Sequence, residues 1–385
     1  MRKSIAVLQI FFVAASLVFL QTFVFAENPK QSESYSPKQS ESHLIKEAAA
    51  VSINSTGTSW SPDQMKEAKP LFLPRSDKGV VTLATSQVKG HSRASSGAPP
   101  TVQVAINEKP LFTPDHPQVQ NDQIQPNSFG TKGARFTSSQ LVPLSADLSY
   151  PYRASGKLFF TRPGVGDFLC SAAVIKPRLI LTAGHCVHKG SGGNNGFFTN
   201  FLFVPAYRDG AAPYERWSWS HVITTNTWST GGYSFPNAAD YAILEVSDQS
   251  FNGVTSTIGS VVGYFGYKTL DLLPNHVTIL GYPVNLDNGE KMHQVTAGSY
   301  GSGGSNTAIY GSDMTGGSSG GPWVQNFGVA AIGQVNGSDR GLNQIVGVTS
   351  YGNTSVEPLY EGSSILDDRF TSILDTACAW KSGNC

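Results

Sequence analysis

A serine hydroxyl attacks a carbonyl only when a base takes its proton and backbone amides hold the oxyanion that forms. Gly316-Gly-Ser-Ser-Gly-Gly-Pro322 supplies the setting for such a serine. Glycines on both sides let the backbone turn tightly and aim amides at one point, with no side chain blocking the approach. Ser319 is therefore the candidate nucleophile, although an ordinary Gly/Ser turn would read the same way in a chain holding 40 glycines. A candidate base lies in Leu179-Ile-Leu-Thr-Ala-Gly-His-Cys-Val187, where an apolar strand delivers His185 at its rim. Imidazole is the side chain best suited to take and return a proton near neutral pH. Cys170 stands sixteen residues before Cys186 at the start of another strand, so a Cys170–Cys186 bridge would pin that rim. Ala238-Ala-Asp-Tyr-Ala-Ile-Leu-Glu-Val246 then puts Asp240 at the opening of an apolar strand. A carboxylate there can accept from the imidazole and fix its tautomer, or it can be a plain strand-start residue.

These side chains need a rigid frame, and the sequence around them is strand-rich. Short β-rich runs recur between Gly, Asn and Pro turns at 157–161, 172–175, 179–182, 201–204, 241–246, 277–280, 293–296, 329–335 and 345–350. Many short strands with irregular loops predict an all-β barrel or sandwich. Glycine loops at 190–196 and 301–304 read as surface connections. One helix is predicted over 364–380, where Ile365, Phe370, Ile373, Leu374 and Ala377 recur at helical spacing.

The chain around this domain is of a different kind. Arg2 and Lys3 precede an apolar stretch from Ile5 to Val24, and Val24-Phe25-Ala26 presents small residues before Glu27. That pattern predicts a secretory signal peptide at 1–26, with an uncleaved anchor as the alternative. No later stretch is apolar enough to span a membrane, so a secreted product is expected, in a compartment where disulfides persist. Residues 27–135 hold 11 of the 22 prolines and none of the four cysteines. Such polar, Pro- and Ser-rich sequence cannot bury enough apolar surface to hold one structure, so a largely disordered pro-region is expected. Within it Lys69-Pro-Leu-Phe-Leu-Pro74 and Lys109-Pro-Leu-Phe-Thr-Pro114 echo one another forty residues apart. They read either as apolar hooks able to dock on a folded partner or as coincidence, since two copies fall short of a repeat array. From 136 to 385 the chain carries 13 basic against 17 acidic residues, and the whole chain balances at 27 against 27. That argues against a nucleic-acid binder.

Taken in order, Thr182-Ala-Gly-His-Cys186, Asp240-Tyr-Ala-Ile-Leu244 and Gly317-Ser-Ser-Gly-Gly-Pro322 resemble the histidine, aspartate and serine boxes of the chymotrypsin-like serine endopeptidases. The resemblance covers about Tyr150 to Trp380 and implies a double antiparallel β-barrel, each barrel six-stranded, with the cleft between them. It assigns His185 as general base and acid, Asp240 as its orienter, Ser319 as nucleophile, and the amides of Gly317 and Ser319 as oxyanion hole. Ser350, Tyr351 and Gly352 would pair with substrate backbone as a short antiparallel strand. The digestive members carry an acid just before the nucleophile to pair with a freshly cut N-terminus, and Ser318 stands there instead. Ser149-Tyr-Pro-Tyr-Arg-Ala154, Val262-Gly-Tyr-Phe-Gly-Tyr267 and Leu280-Gly-Tyr-Pro283 look more like the bacterial V8 or glutamyl-endopeptidase branch. That branch places a histidine before the pocket-wall Ser-x-Gly, where this chain has Thr349. No cysteine lies near Gly317 or Gly352 to close the pocket.

The expectation is thus a signal peptide (1–26), a pro-region (27–135) and a serine-protease domain (136–385), acting on peptides as a monomer, with its own pro-region as partner and no cofactor or metal. Asp313 stands six residues before Ser319, where the trypsin-like enzymes it resembles keep a carboxylate at the pocket floor, so the resemblance makes it the candidate pocket acid, with Thr349 beside it. The residue before the cut bond is expected to be basic or medium-sized and uncharged rather than glutamate. Cys378 and Cys385 are placed for a local bridge after the last helix. An esterase with the same triad, or a protease-like binding module, would read alike.

Overall fold

The computed structural model describes residues 50–54 (as backbone), 60–76, 90–113, 130, 133–251, 253–328, 341–353 and 357–385. The expected signal peptide and the 329–335 strand lie outside the described residues.

The N-terminal segment contributes β1 (Ala50–Asn54), α1 (Pro62–Glu67), β2 (Lys69–Pro70), β3 (Arg75–Ser76) and β4 (Ala94–Ser95). Next come β5 (Phe136–Gln140), β6 (Ser155–Arg162), β7 (Gly166–Val174), β8 (Leu179–Thr182), β9 (Thr199–Pro205), β10 (Trp217–Thr225), the short helix α2 (Asn226–Ser229) and β11 (Ala242–Val246). Strands β10-β11-β8-β7-β6-β9 pair in that order, and β9 pairs back onto β10, which closes a six-stranded barrel. Its interior explains the unbroken apolar runs. Leu158, Phe160, Val174, Ile180, Val222 and Leu244 are all fully or almost fully buried.

The hairpin β12 (Gln249–Phe251) and β13 (Val254–Ser256) and the helix α3 (Ile258–Val262) lead to the second half. There lie β14 (Gly266–Lys268), β15 (His276–Gly281), β16 (His293–Gly304), β17 (Thr307–Gly311), β18 (Pro322–Gln325), β19 (Gln344–Val348), β20 (Tyr351–Asn353) and β21 (Tyr360–Ser364), then α4 (Asp368–Ala379). β20-β21-β17-β16-β15-β18-β19 pair in sequence. β19 and β20 are halves of one extended run, so the ring closes through Thr349 and Ser350. Val348 N–H donates to Ser363 Oγ at 2.9 Å and Ser350 N–H to the Gly362 carbonyl at 2.9 Å, tying that run to β21. The two-barrel architecture is therefore present. The C-terminal helix starts later than its apolar spacing predicts, because Ser364 still belongs to β21 and Asp367 caps the helix by accepting from Arg369 N–H.

Composition predicts little order in 27–135, yet its described residues lie against the barrels. Trp60 and Met65 are buried, and the Trp60 ring packs on Phe159 at 5.5 Å between centroids. Ser61 and Gln64 form a capping box on α1. β1 pairs with β10, and β4 with β14. Both hooks dock: Leu71 N–H donates to Leu169, and Leu111 N–H to Gly210, each at 2.9 Å. A segment too polar to build its own core finds apolar surface on one already built.

Candidate active site

β8 and β11 pair antiparallel, with Ala242 opposite Thr182. The end of β8 and the start of β11 therefore lie side by side, and that pairing brings His185 to Asp240 across 55 residues. His185 Nδ1 lies 2.7 Å from Asp240 Oδ2, and the His185 backbone N–H donates to Oδ1 at 2.8 Å. Both side chains are completely buried. A carboxylate accepting at Nδ1 puts the proton there and leaves Nε2 as the basic nitrogen. Trp228 and Phe235 wall the imidazole edge-on, at 6.1 and 5.7 Å between centroids. Gly184 is required beside it, since a Cβ would sit 2.8 Å from the Trp228 ring. The Cys170–Cys186 disulfide ties this turn to β7. Cys170, His185 and Cys186 cluster closely enough to hold a metal, but the two sulfurs are bonded to each other and offer no thiolate.

The second barrel brings Ser319, on the loop before β18. Its carbonyl accepts from Ser171 N–H of β7 at 2.8 Å, so the Ser319 loop is pinned to the seam between barrels. Gly317 and Gly320 adopt φ of +93° and +78°. A Cβ on Gly320 would lie 2.0 Å from Thr182 Oγ1, so this backbone admits glycine alone. Ser319 Oγ and His185 Nε2 are buried and have no hydrogen-bond partner among the described residues.

The Ser350 side chain also reaches the His185–Asp240 pair. Its hydroxyl donates to Asp240 Oδ2 at 2.6 Å, giving the carboxylate another donor besides the histidine. Thr349 Oγ1 accepts from Trp323 Nε1–H at 2.9 Å, and the Tyr351 hydroxyl lies 3.1 Å from Thr307 Oγ1. Gly352 N–H donates to the Pro74 carbonyl at 2.7 Å, and Gly317 N–H to the Leu71 carbonyl at 3.0 Å. Asp313 lies against the Ser138 hydroxyl of β5, and burial raises its pKa.

The acid that adjoins the Ser319 loop is one the motifs do not reveal. Glu361, on β21, is fully buried, with Oε2 2.9 Å from Ser312 Oγ and Oε1 2.7 Å from Ser318 Oγ. Burial pushes its carboxyl up to about 8. The geometry agrees with a protonated acid. Ser318 has one hydroxyl proton but two acceptors at 2.7 Å, the Thr315 carbonyl and Glu361 Oε1. A proton on Oε1 donated to Ser318 satisfies all three groups. Within Tyr360-Glu-Gly-Ser-Ser364 no motif or alternation marks this acid in the sequence.

The profile of the trypsin-like peptidase domain matches residues 170–333, a stretch that holds His185, Asp240 and Ser319. A glutamyl endopeptidase of Bacillus licheniformis is 32% identical over 138 residues, 35% of this chain and 37% of that protein. The chain thus spans little more than a third of that relative's length. Among solved structures, the protease Anisep from Arthrobacter nicotinovorans is 29% identical, with a TM-score of 0.48, over 59% of this chain and 96% of its own. The thermostable serine protease AL20, from an extremophilic microorganism, is 27% identical, with a TM-score of 0.48, over 60% and 98%. By the profile match, residues 170–333 of this chain are similar to the trypsin-like peptidase domain.

Proposed function

We propose that the chain is a secreted serine endopeptidase, made as a precursor and hydrolysing peptide bonds through His185, Asp240 and Ser319. The observation that carries this reading is the buried His185–Asp240 pair, joined at 2.7 Å, on the barrel that faces the Ser319 loop. His185 Nε2 takes the Ser319 proton as Oγ bonds to the substrate carbonyl carbon. The amides of Gly317 and Ser319 receive the oxyanion. His185 then returns the proton to the departing amine, leaving an acyl group on Ser319, which water releases by the same steps. Asp240 stays ionised throughout and stabilises the imidazolium, helped by Ser350.

The signal at 1–26 takes the chain out of the cell, and the pro-region ends at a cut near Arg135, an exposed residue immediately before β5. The enzyme then works as a monomer on protein or peptide substrates and needs no cofactor. The named relative acts on glutamyl bonds. In this chain Thr349 replaces the histidine of that branch, and the buried acid beside the Ser319 loop is the protonated, uncharged Glu361. Among the described residues neither Thr349 nor Glu361 offers a carboxylate substrate side chain a cation, so the residue before the cut is basic or uncharged.

The test is hydrolysis of a peptide library by the secreted protein, with Ser319→Ala and His185→Ala as controls. Both variants should lose hydrolysis by several orders of magnitude, leaving about 10³ over water from amides and binding alone. A fluorophosphonate should label Ser319. Undiminished hydrolysis by Ser319→Ala would remove the assignment.

A further inference from the structure

We propose that Lys69–Ser76 is a built-in inhibitor that occupies the substrate cleft with its chain direction reversed, and that the cleft accepts this stretch as a peptide ligand even once detached. The proposal rests on the endopeptidase reading of the cleft. A substrate pairing antiparallel with Ser350–Gly352 runs one way through the site. The strap runs the other way, and it does so at both ends. Arg75 and Ser76 pair parallel with Gly352 and Asn353 of β20, and Lys69 and Pro70 pair parallel with Phe168 and Leu169 of β7. Agreement at two separate strands, one on each barrel, excludes a local kink as the source of the reversal.

Between those ends the strap takes up the groups a substrate would use. The Leu71 carbonyl accepts from Gly317 N–H at 3.0 Å, the amide assigned to the oxyanion hole. The Pro74 carbonyl accepts from Gly352 N–H at 2.7 Å. Leu71 is 4% exposed, and the Leu73 side chain covers Gly352, where a Cβ would come within 2.9 Å of Leu73 Cδ2. With the strap in place His185 and Ser319 have no exposed surface at all. Pro70 and Pro74 bracket the stretch, fixing φ at two of its positions and lowering the ordering cost of docking.

Reversal also accounts for survival of the strap. In a substrate the chain beyond the scissile carbonyl continues toward β7, and its nitrogen receives the proton from His185. Beyond the Leu71 carbonyl the strap continues toward β20 instead. The nitrogen of Phe72 is therefore directed to the opposite end of the cleft from the one the departing amine uses. The strap fills the oxyanion site without presenting a bond that can be cut.

The test uses the full chain carrying Ser319→Ala, which cannot process itself. Hydrogen exchange at Gly317 and Gly352 should be slow, and adding Leu71→Asp should accelerate it by about tenfold or more, because a buried unpaired carboxylate expels the strap. Adding Phe72→Ala should change nothing, since that side chain is 87% exposed. Fast exchange before Leu71→Asp, or no change after it, would overturn the strap. Polarity is read by cysteine pairs and a short bis-maleimide: Ser76→Cys should link to Asn353→Cys, and Lys69→Cys should not. The opposite pattern would overturn the reversal. Synthetic Lys69–Ser76 peptide added to the processed wild-type enzyme should inhibit competitively and be recovered whole. Cleavage inside it would show ordinary substrate binding. Should the processed protein hydrolyse nothing and leave Ser319 unlabelled, the endopeptidase reading fails, while exchange and cross-linking still decide the strap.

Discussion

Replacing Glu361 with glutamine should change how the stability of this protein depends on pH, in a predictable direction and size. In the fold this carboxyl is raised to about 8 from an ordinary 4.5, and burial is the main cause. Below pH 4.5 it is protonated in both the folded and unfolded chain and contributes no pH dependence. Between 4.5 and 8 the unfolded chain has lost the proton while the folded chain keeps it. Stability therefore falls as pH rises, by about 1.4 kcal/mol per pH unit from this group alone. Across the whole window the loss is roughly 5 kcal/mol, with no discount for solvent because the side chain is fully buried. Above 8 the slope from this group vanishes. Glutamine reproduces the protonated pattern, its Nε2 donating to Ser318 and its Oε1 accepting from Ser312, but does not titrate. The assay is urea unfolding of Ser319→Ala and of Ser319→Ala with Glu361→Gln at pH 5.5, 6.5 and 7.5. Every other titrating group is common to the two proteins, so the difference in slope isolates this carboxyl. The glutamine variant should gain about 1.4 kcal/mol on its parent with each pH unit. Parallel slopes, or a parent that gains on the variant as pH rises, would refute a protonated Glu361.

Asp240→Asn should lower kcat by about 10⁴ while leaving the fold intact, because an amide can donate to Nδ1 and turn the imidazole to the unproductive tautomer. Stopped assays from pH 6 to 10 check it, and a loss below about tenfold would mean that Asp240 does not orient His185. Matched peptides differing only in the residue before the cut bond should show Arg, Lys or a medium-sized uncharged residue ahead of Glu in kcat/KM. A clear preference for Glu would show that a cation reaches the pocket despite Thr349.

The two barrels were readable because their strands are apolar runs bounded by turn residues. β8 is the plainest case, Leu-Ile-Leu-Thr with every residue buried. β10, β17, β18 and β21 were harder. Trp217-Ser-Trp-Ser-His221 carries polar residues on its outer face, and Tyr360-Glu-Gly-Ser-Ser364 has no apolar alternation to detect. β21 is a buried strand held by its neighbours, with small side chains where the Ser319 loop and Tyr351 press close. A Cβ on Gly362 would lie 2.2 Å from the Tyr351 ring. Tertiary packing selects those residues, and propensity does not foresee it.

The legible part of the site follows the same division. His185, Asp240 and Ser319 sit in motifs because chemistry needs a particular backbone around each, and glycines or apolar strands leave a trace in sequence. Asp313 and Glu361 show where that logic stops. Both are lone acids, and resemblance to the trypsin-like enzymes favoured Asp313 because it stands six residues before the serine. The chain folds that carboxyl against Ser138 of an edge strand, and brings Glu361 to Ser312 and Ser318 from 43 residues beyond Ser318. The β17–β21 pairing, which sets Tyr310 opposite Glu361, brings that carboxyl to Ser312 just beyond β17. The strap is the same lesson at larger scale. Its composition announces that it cannot fold alone, and its Pro-Leu-Phe core hints at docking. The direction in which it lies, and hence whether it acts as a substrate or an inhibitor, is decided by parallel registers on two different sheets, and no local feature of residues 69–76 encodes them.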